Sequence, residues 1–365
     1  MFIDELFANV SFRVLQDNRE LATETIAQLC ESRNYESSSG SIFHSIFDIK
    51  NFSMCDRLDW YCVVNPVDHT ALFFDTGHPV LTGTEMMDSV LHKYDIPWSN
   101  VTVFLTHFHI DHSGNFAYCL QQGAKEGCFI EPIAYSDSEN NQFFVWTQAP
   151  NDLREDTFAC EHLQLVGGKD YFTAVPLQRC RTVSKGECFE IGGFCFEVFP
   201  TPGHAPEHAC LVDYEKQIMV AGDHLLFAKP GMMQLAPDQH LMALYMDSLS
   251  IIRSFRIQAL LMSHHAPLYG ASQIDDFIKQ TQRNYVQLLD KAQDKVALCG
   301  AVSPYSMANA LAQHYPRGIR NFAPAVQMRR IALAFGTLEG LYDEGRVERR
   351  QEDNGGLVYF VKRGR

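Results

Sequence analysis

No stretch of this 365-residue chain approaches the ~18 consecutive apolar residues that span a bilayer; its longest apolar runs are of the order of Ile331–Phe335. The opening segment Met1–Leu6 contains Asp4 and Glu5 and lacks a basic stretch ahead of an apolar one, so no secretory signal is expected and the expected location is the cytoplasm. Positive charge is scarce. Thirty Lys and Arg face 44 Asp and Glu, and the net charge of −14 repels a polyphosphate backbone unless basic residues segregate. Eleven cysteines, an odd number, are scattered from Cys30 to Cys299 with no Cys-x-x-Cys pair, which argues against a compact disulfide framework and predicts mostly buried, reduced thiols. A Gly-x-Ser-x-Gly elbow is also missing, and with it a serine nucleophile of that type.

What is present suffices for a sizeable core: 46% of residues are hydrophobic and 20% charged, over a length that suits about two domains. Residues 1–40 read as an N-terminal helical extension, with Phe7, Val10, Val14, Leu21 and Ile26 at loosely helical spacing before the Ser/Gly-rich run Ser37–Ser41. Residues 41–295 read as the main domain. Strands are predicted at Trp60–Pro66, Ala71–Asp75, Val101–Thr106, Cys188–Ile191, Phe194–Pro200, Ala209–Tyr214 and Gln217–Ala221, and helices near Thr84–Tyr94 and Ser113–Gln122. A long polar, aromatic-dotted stretch at about 128–183 reads as an insertion. Ile274, Phe277, Ile278, Tyr285, Leu288 and Leu289 trace one face of a helix leading out of an α/β core.

Residues 296–365 read as a small winged-helix-like domain: helices at Tyr305–His314 and Val326–Glu344, then a hairpin of Arg346–Arg350 and Leu357–Val361 around Asn354-Gly355-Gly356. From Ala301 onward ten basic residues face six acidic ones, a surplus of four that leaves −18 for residues 1–300. Arg346, Arg349 and Arg350 form a local basic patch, yet so small a surplus favours a structural or dimer-forming appendage over a DNA-binding one.

The chemistry concentrates in Thr106-His107-Phe108-His109-Ile110-Asp111-His112-Ser113-Gly114, at the end of an apolar strand. Neutral imidazole and carboxylate suit Zn(II), Fe(II) or Mn(II). Side chains two apart on an extended segment point the same way, so His107 and His109 can address one ion while Asp111 and His112 address another. Further ligand types follow later strands in the same manner. His204 lies in Thr201-Pro202-Gly203-His204-Ala205-Pro206-Glu207-His208, Asp223 in Ala221-Gly222-Asp223-His224, and a histidine pair in Met262-Ser263-His264-His265-Ala266-Pro267.

These four motifs, in this order over about residues 60–290, resemble those of the metallo-β-lactamase-fold hydrolases, most closely the glyoxalase II-like branch. The resemblance implies an αββα sandwich, a dinuclear metal-dependent hydrolase, and two divalent transition-metal ions, Zn first with Fe or Mn as alternatives. It implies His107, His109 and His204 on one metal, Asp111, His112 and a final histidine on the other, and Asp223 bridging them, with Asp111 and Asp223 as the catalytic pair. Asp75, in Leu72-Phe73-Phe74-Asp75-Thr76-Gly77, matches a supporting Asp-Thr-Gly. Alignment on Pro267 favours His265 as the final ligand, with His264 as the alternative. His208 is expected to be a hydrogen-bond partner of the ligands, and His224 to point elsewhere. His109 stands where di-iron oxygen- or NO-reducing relatives favour a carboxylate, and His112 where the commonest true β-lactamases have arginine; both branches are disfavoured.

The expected reaction is attack of a metal-bridging hydroxide on a small-molecule thioester, ester or lactone. Two alternatives remain: a phosphodiesterase or nuclease of the same fold, and a metal-site sensor binding DNA through its winged helix. The acidic balance counts against nucleic acid as a partner, and no membrane partner is expected. Oligomeric state is open, a homodimer included.

Overall fold

The computed structural model describes residues 19–20, 40–48, 57–78, 84–130, 180–226, 236–322, 324–353 and 355–361. Nearly all of the expected helical extension at 1–40 lies outside them; Arg19–Glu20 within it form a two-residue strand, β1. Most of the expected insertion also lies outside, and its two ends belong to strands β6 (Glu126–Ile130) and β7 (Cys180–Val183).

The architecture follows from β3 (Arg57–Asn65), which is buried from Leu58 to its end. Successive strand side chains face opposite ways, so a strand buried throughout is covered on both faces. Tyr61 and Val63 fall in one apolar cluster, Leu58, Trp60, Cys62 and Val64 in another. The alternation continues in β4 (Thr70–Phe74), with Leu72 and Phe74 on the first side and Ala71 and Phe73 on the second.

Together with β2 (Ser41–Asp48) and β5 (Val101–Phe104), these strands form a seven-stranded sheet ordered β1-β2-β3-β4-β5-β6-β7. It is antiparallel from β1 to β4 and parallel from β4 to β7. The second sheet has six strands: β8 (Cys188–Ile191), β9 (Phe194–Pro200), β10 (Ala209–Asp213), β11 (Ile218–Gly222), β12 (Ala259–Met262) and β13 (Leu268–Tyr269), ordered β13-β12-β11-β10-β9-β8. Only its β11–β12 pair is parallel.

Phe104, Phe196, Val198, Leu211, Val220 and Leu261 fill the space between the sheets with Tyr61, Val63 and Phe74. Helices α1 (Glu85–Lys93) and α3 (Phe116–Gln121) cover the outer face of the first sheet through Met86, Met87, Leu91, Phe116, Cys119 and Leu120. Helices α4 (Leu241–Ser254) and α5 (Ala271–Cys299) cover the second. Ile274, Ile278, Thr281, Tyr285, Leu289, Ala292 and Val296 form the continuous buried stripe that makes so long a helix stable. The result is a four-layered α/β/β/α sandwich.

Beyond α5, helix α6 (Pro304–Leu311) opens with a capping box: Ser303 Oγ accepts from Ser306 N–H at 3.2 Å while Ser303 N–H donates to Ser306 Oγ at 2.7 Å, and Pro304 occupies the first helical position. Helix α7 (Pro324–Asp343) and the hairpin β14 (Glu348–Gln351) and β15 (Leu357–Phe360) complete the chain. Phe335, Leu338 and Tyr359 share one apolar cluster with Leu241, Tyr285 and the outer face of the second sheet. Beneath them is Glu339, 1% exposed, which takes Arg349 Nη1 on both oxygens at 2.8 Å, the Tyr359 hydroxyl at 2.6 Å and the Asp238 amide at 2.9 Å.

Cys188 and Cys195 form a disulfide across the β8–β9 hairpin, an exception to the mostly reduced thiols expected. The register opposes Cys188 to Glu197 and Glu190 to Cys195, which makes the two cysteines diagonal neighbours with Cα atoms 6.0 Å apart. Cys119, Cys128 and Cys210 are buried free thiols.

Candidate metal centre

Four strands of the sandwich end at one rim. The chain leaving β5 carries His107, His109, Asp111 and His112; those leaving β9, β11 and β12 carry His204, Asp223 and His264. Backbone bonds join the sheets at this rim, from Ala209 N to Thr106 O at 2.9 Å and from Asp59 N to Ser263 O at 2.6 Å. His109 is extended (φ −60°, ψ 148°) and precedes the short helix α2 (Ile110–Ser113), whose first turn contains Asp111 and His112.

Two groups of ligand atoms result, each lying within 4.8 Å: His107, His109, His204 and Asp223, and Asp111, His112 and His264. His109 Nδ1 is 2.9 Å from both His107 Nε2 and His204 Nε2. His264 Nε2 is 3.2 Å from Asp111 Oδ2, and His112 Nε2 is 3.9 Å from Asp111 Oδ1. Asp223 stands between the groups: Oδ2 is 3.3 Å from both His204 Nε2 and His264 Nε2, and Oδ1 is 3.3 Å from His112 Nε2.

The donors fit a metal ion. One ring nitrogen has either one proton or one lone pair, so His109 Nδ1 cannot serve both imidazole neighbours by hydrogen bonding, whereas a cation among them engages all three. His112 Nε2 and Asp223 Oδ1 are buried 3.3 Å apart without a well-directed hydrogen bond, an arrangement that an ion shared by the two would relieve. Imidazole and carboxylate together suit a divalent transition metal.

Partners on the far side of each ring fix the tautomers. Asp75 Oδ2 accepts from His112 Nδ1 at 2.8 Å, which leaves Nε2 of His112 for the centre. The same carboxylate accepts the Thr106 amide at 2.7 Å and hydroxyl at 2.8 Å. Having given its proton to Asp75, the Thr106 hydroxyl accepts from His107 Nδ1 at 3.0 Å, so His107 Nε2 carries the lone pair. His264 Nδ1 donates to the Arg57 carbonyl at 2.7 Å. Asp75 adopts a left-handed conformation, φ 64°, to reach these partners from the end of β4.

Electrostatics follow the geometry. Burial, reinforced by the neighbouring imidazoles, holds His107 and His109 well below the usual histidine pKa. Burial also opposes charging of His112, but Asp223, Asp75 and Asp111 outweigh it and hold that group well above. Burial would raise the two carboxyls; instead His112 and His264 hold Asp111 and Asp223 ionised, well below the usual carboxylate range.

His208 reaches the centre through the backbone. It accepts from the Asp223 amide at Nε2 (3.2 Å), so Nδ1 donates to Thr201 Oγ1 at 2.7 Å. Gly222 (φ 49°) passes so close that a Cβ there would lie 2.7 Å from Thr106 Oγ1 and 2.8 Å from His208 Nε2. The His224 ring turns away and bonds Ser248 Oγ at 2.9 Å.

The expected ligands His107, His109, Asp111, His112, His204 and Asp223 thus converge, and His265 does not. His265 Nδ1 lies 2.6 Å from the Ala266 carbonyl, and its ring packs 5.8 Å from that of Phe277; His264 takes the place in the cluster. The reason is backbone alternation: Ser263, tied to Gly222 and Asp59, continues the line of β12, and adjacent side chains then face opposite ways. Metal content should therefore fall in His264→Ala and stay at the native level in His265→Ala; the reverse result would restore His265. Two contributors are absent from the expected set. Arg57 acts through its carbonyl, which no side-chain pattern reveals. Glu207, whose only sequence signal is a carboxylate beside His208, accepts a hydrogen bond from the Phe108 amide at 3.2 Å.

Fold and site together define a metal-binding α/β/β/α sandwich protein. The chain belongs to the metallo-beta-lactamase superfamily, whose family model matches residues 63–264. Most members are hydrolases, and some are not enzymes. A beta-lactamase domain protein from Burkholderia ambifaria superposes with a TM-score of 0.70 at 18% identity, over 98% of this chain and 97% of that one. A metallo-beta-lactamase family protein from Thermus thermophilus gives 0.66 at 17% identity, over 87% of this chain and 98% of that one. An uncharacterized protein of Aquifex aeolicus is 29% identical over 132 residues, 36% of this chain; the match spans about half, 52%, of that relative's length. Among the described residues no helix is long and apolar enough to cross a membrane.

Proposed function

We propose that this protein is a dinuclear metal-dependent hydrolase of the glyoxalase II-like branch, acting on a small-molecule thioester, ester or lactone. The observation that carries the reading is Asp223, a single carboxylate 3.3 Å from His112 on one oxygen and 3.3 Å from His204 and His264 on the other. A group so placed can be shared by two ions, with His107, His109 and His204 on one side and Asp111, His112 and His264 on the other. Two divalent ions, Zn first with Fe or Mn suited to the same donors, would supply Lewis acidity to a carbonyl and acidify water toward neutrality. Asp111 and Asp223, both held ionised, would help hold the ions and could accept hydrogen bonds from such a water. Asp75, Thr106 and the Arg57 carbonyl keep the imidazole lone pairs aimed inward.

The division into residues 1–40, a catalytic domain at 41–295 and a winged-helix-like unit at 296–365 belongs to the same proposal, with the last unit in a structural role. The three arginines of its expected basic patch are engaged in ion pairs. Arg346 pairs with Asp290 at 2.7 Å, Arg349 with Glu339 at 2.8 Å and Asp238 at 3.0 Å, and Arg350 with Glu352 at 3.4 Å. Arginines committed in this way present little charge to a phosphate backbone.

Metal analysis by inductively coupled plasma mass spectrometry on protein purified without added metal should find about two transition-metal ions per chain. Thioesters, esters and lactones should then be hydrolysed in preference to phosphodiesters. Protein that holds no metal and takes none up on reconstitution would end the hydrolase reading, and turnover of phosphodiesters alone would end the acyl assignment.

A further inference from the structure

The turn from Thr201 to His208 presents, besides His204, a carboxyl group to which the chemistry above gives no task. Glu207 is 5% exposed, and its Oε1 accepts the Phe108 amide at 3.2 Å. Its Oε2 is buried with no hydrogen-bond partner among the described residues. A half-satisfied buried carboxyl weakens a fold unless its one contact matters.

That contact falls at an informative place. Phe108 is the middle residue of His107-Phe108-His109, and its ring is fixed in the core of the first sheet, 5.0 Å from that of Phe129. The Glu207 bond therefore ties the segment holding His204 to the segment holding His107 and His109. These are the three imidazoles whose nitrogens meet at 2.9 Å. A backbone tie between the two segments, Ala209 N to Thr106 O at 2.9 Å, lies at the sheet end of both, and Glu207 adds one at the metal end.

We propose that Glu207 is a positioning residue for the metal centre: by accepting the Phe108 amide it sets His107 and His109 against His204, and with them the affinity of the three-histidine side for a divalent ion. The inference rests on the dinuclear reading above. Burial pushes the Glu207 carboxyl up to about 7, so its contribution is an acceptor oxygen of the right reach more than a negative charge. Glutamine keeps that oxygen, and leucine removes it at similar size.

The test is cobalt(II) titration of the metal-free full-length protein, read by ligand-field absorption and by competition with a chromophoric chelator. Loss of a supporting hydrogen bond should weaken one of the two cobalt equivalents about 10–100-fold in Glu207→Leu and alter its absorption band, while Glu207→Gln stays within about threefold of native. Circular dichroism establishes that the metal-free variants are folded. Should the leucine variant not fold, Glu207→Ala replaces it with the same expectation. Native affinity and spectrum in the leucine or alanine variant would overturn the proposal, and so would a glutamine variant as weak as they are. If the native protein binds no cobalt, the dinuclear reading itself fails, an outcome distinct from the other two.

Discussion

On the proposed dinuclear reading, Asp223→Ala should take the protein from about two bound metal ions per chain to one or none, and lower kcat/KM on the proposed acyl substrates by on the order of a thousandfold, about 4 kcal/mol of barrier. The size of the effect follows from position. The Asp223 oxygens approach His204 of one group of donors and both His112 and His264 of the other. Its removal withdraws a donor from both groups and leaves His112 without the partner that contributes most to its raised pKa. Asp111, whose ion-pair contacts are to His112 and His264, provides the contrast. Asp111→Ala should release one ion and leave the three-histidine side loaded. Measuring metal content and hydrolysis on the same preparations separates the cases: unchanged content in Asp223→Ala would show that the carboxylate does not join the two groups.

The second large effect is on stability. Glu339→Ala should destabilise the fold by about 3 kcal/mol, because removing one partner of a buried ion pair strands the others. Arg349 loses a two-oxygen contact at 2.8 Å, Tyr359 its acceptor at 2.6 Å and Asp238 N–H its acceptor at 2.9 Å. Arg349 keeps the Asp238 carboxylate at 3.0 Å, which holds the loss at the lower end of the range for such pairs. Denaturant unfolding gives the number, and its shape is informative too. Helix α7 and the β14–β15 hairpin share a core with α4 and α5, so the transition should move as a whole; a shift below about 1 kcal/mol would mean that this cluster is far less buried than it stands here.

How much of this is legible in the sequence depends on whether the signal is carried by a side-chain pattern. Strands β3, β4, β5, β9, β10 and β11 are runs of apolar residues bounded by turns, and the His107–His112 string ends one of them; both are visible as letters. Strand β7 and the end of β6 fall within the expected insertion because Cys-Arg-Thr-Val is short and half polar; its pairing with β6 is a long-range fact that no local pattern contains. Helix α4 is missing from the expected elements although Leu241, Met242, Tyr245, Ser248, Leu249 and Ile252 repeat at helical spacing. The choice between His264 and His265 turns on which side of an extended segment faces the rim, and that is set by Ser263 bonding to Gly222 and Asp59. The Cys188–Cys195 bridge depends likewise on hairpin register.

The centre lies on the seam between the two sheets. His107, His109, Asp111 and His112 follow a strand of the first, and His204, Asp223 and His264 follow strands of the second. Neither sheet alone gathers His107, His109, His204 and Asp223. On the proposed reading, tight metal binding would require both sheets to be docked, so occupancy would report on their association. On that reading, bound metal would act as a rivet between the halves, stabilising the docked sheets over the separated ones.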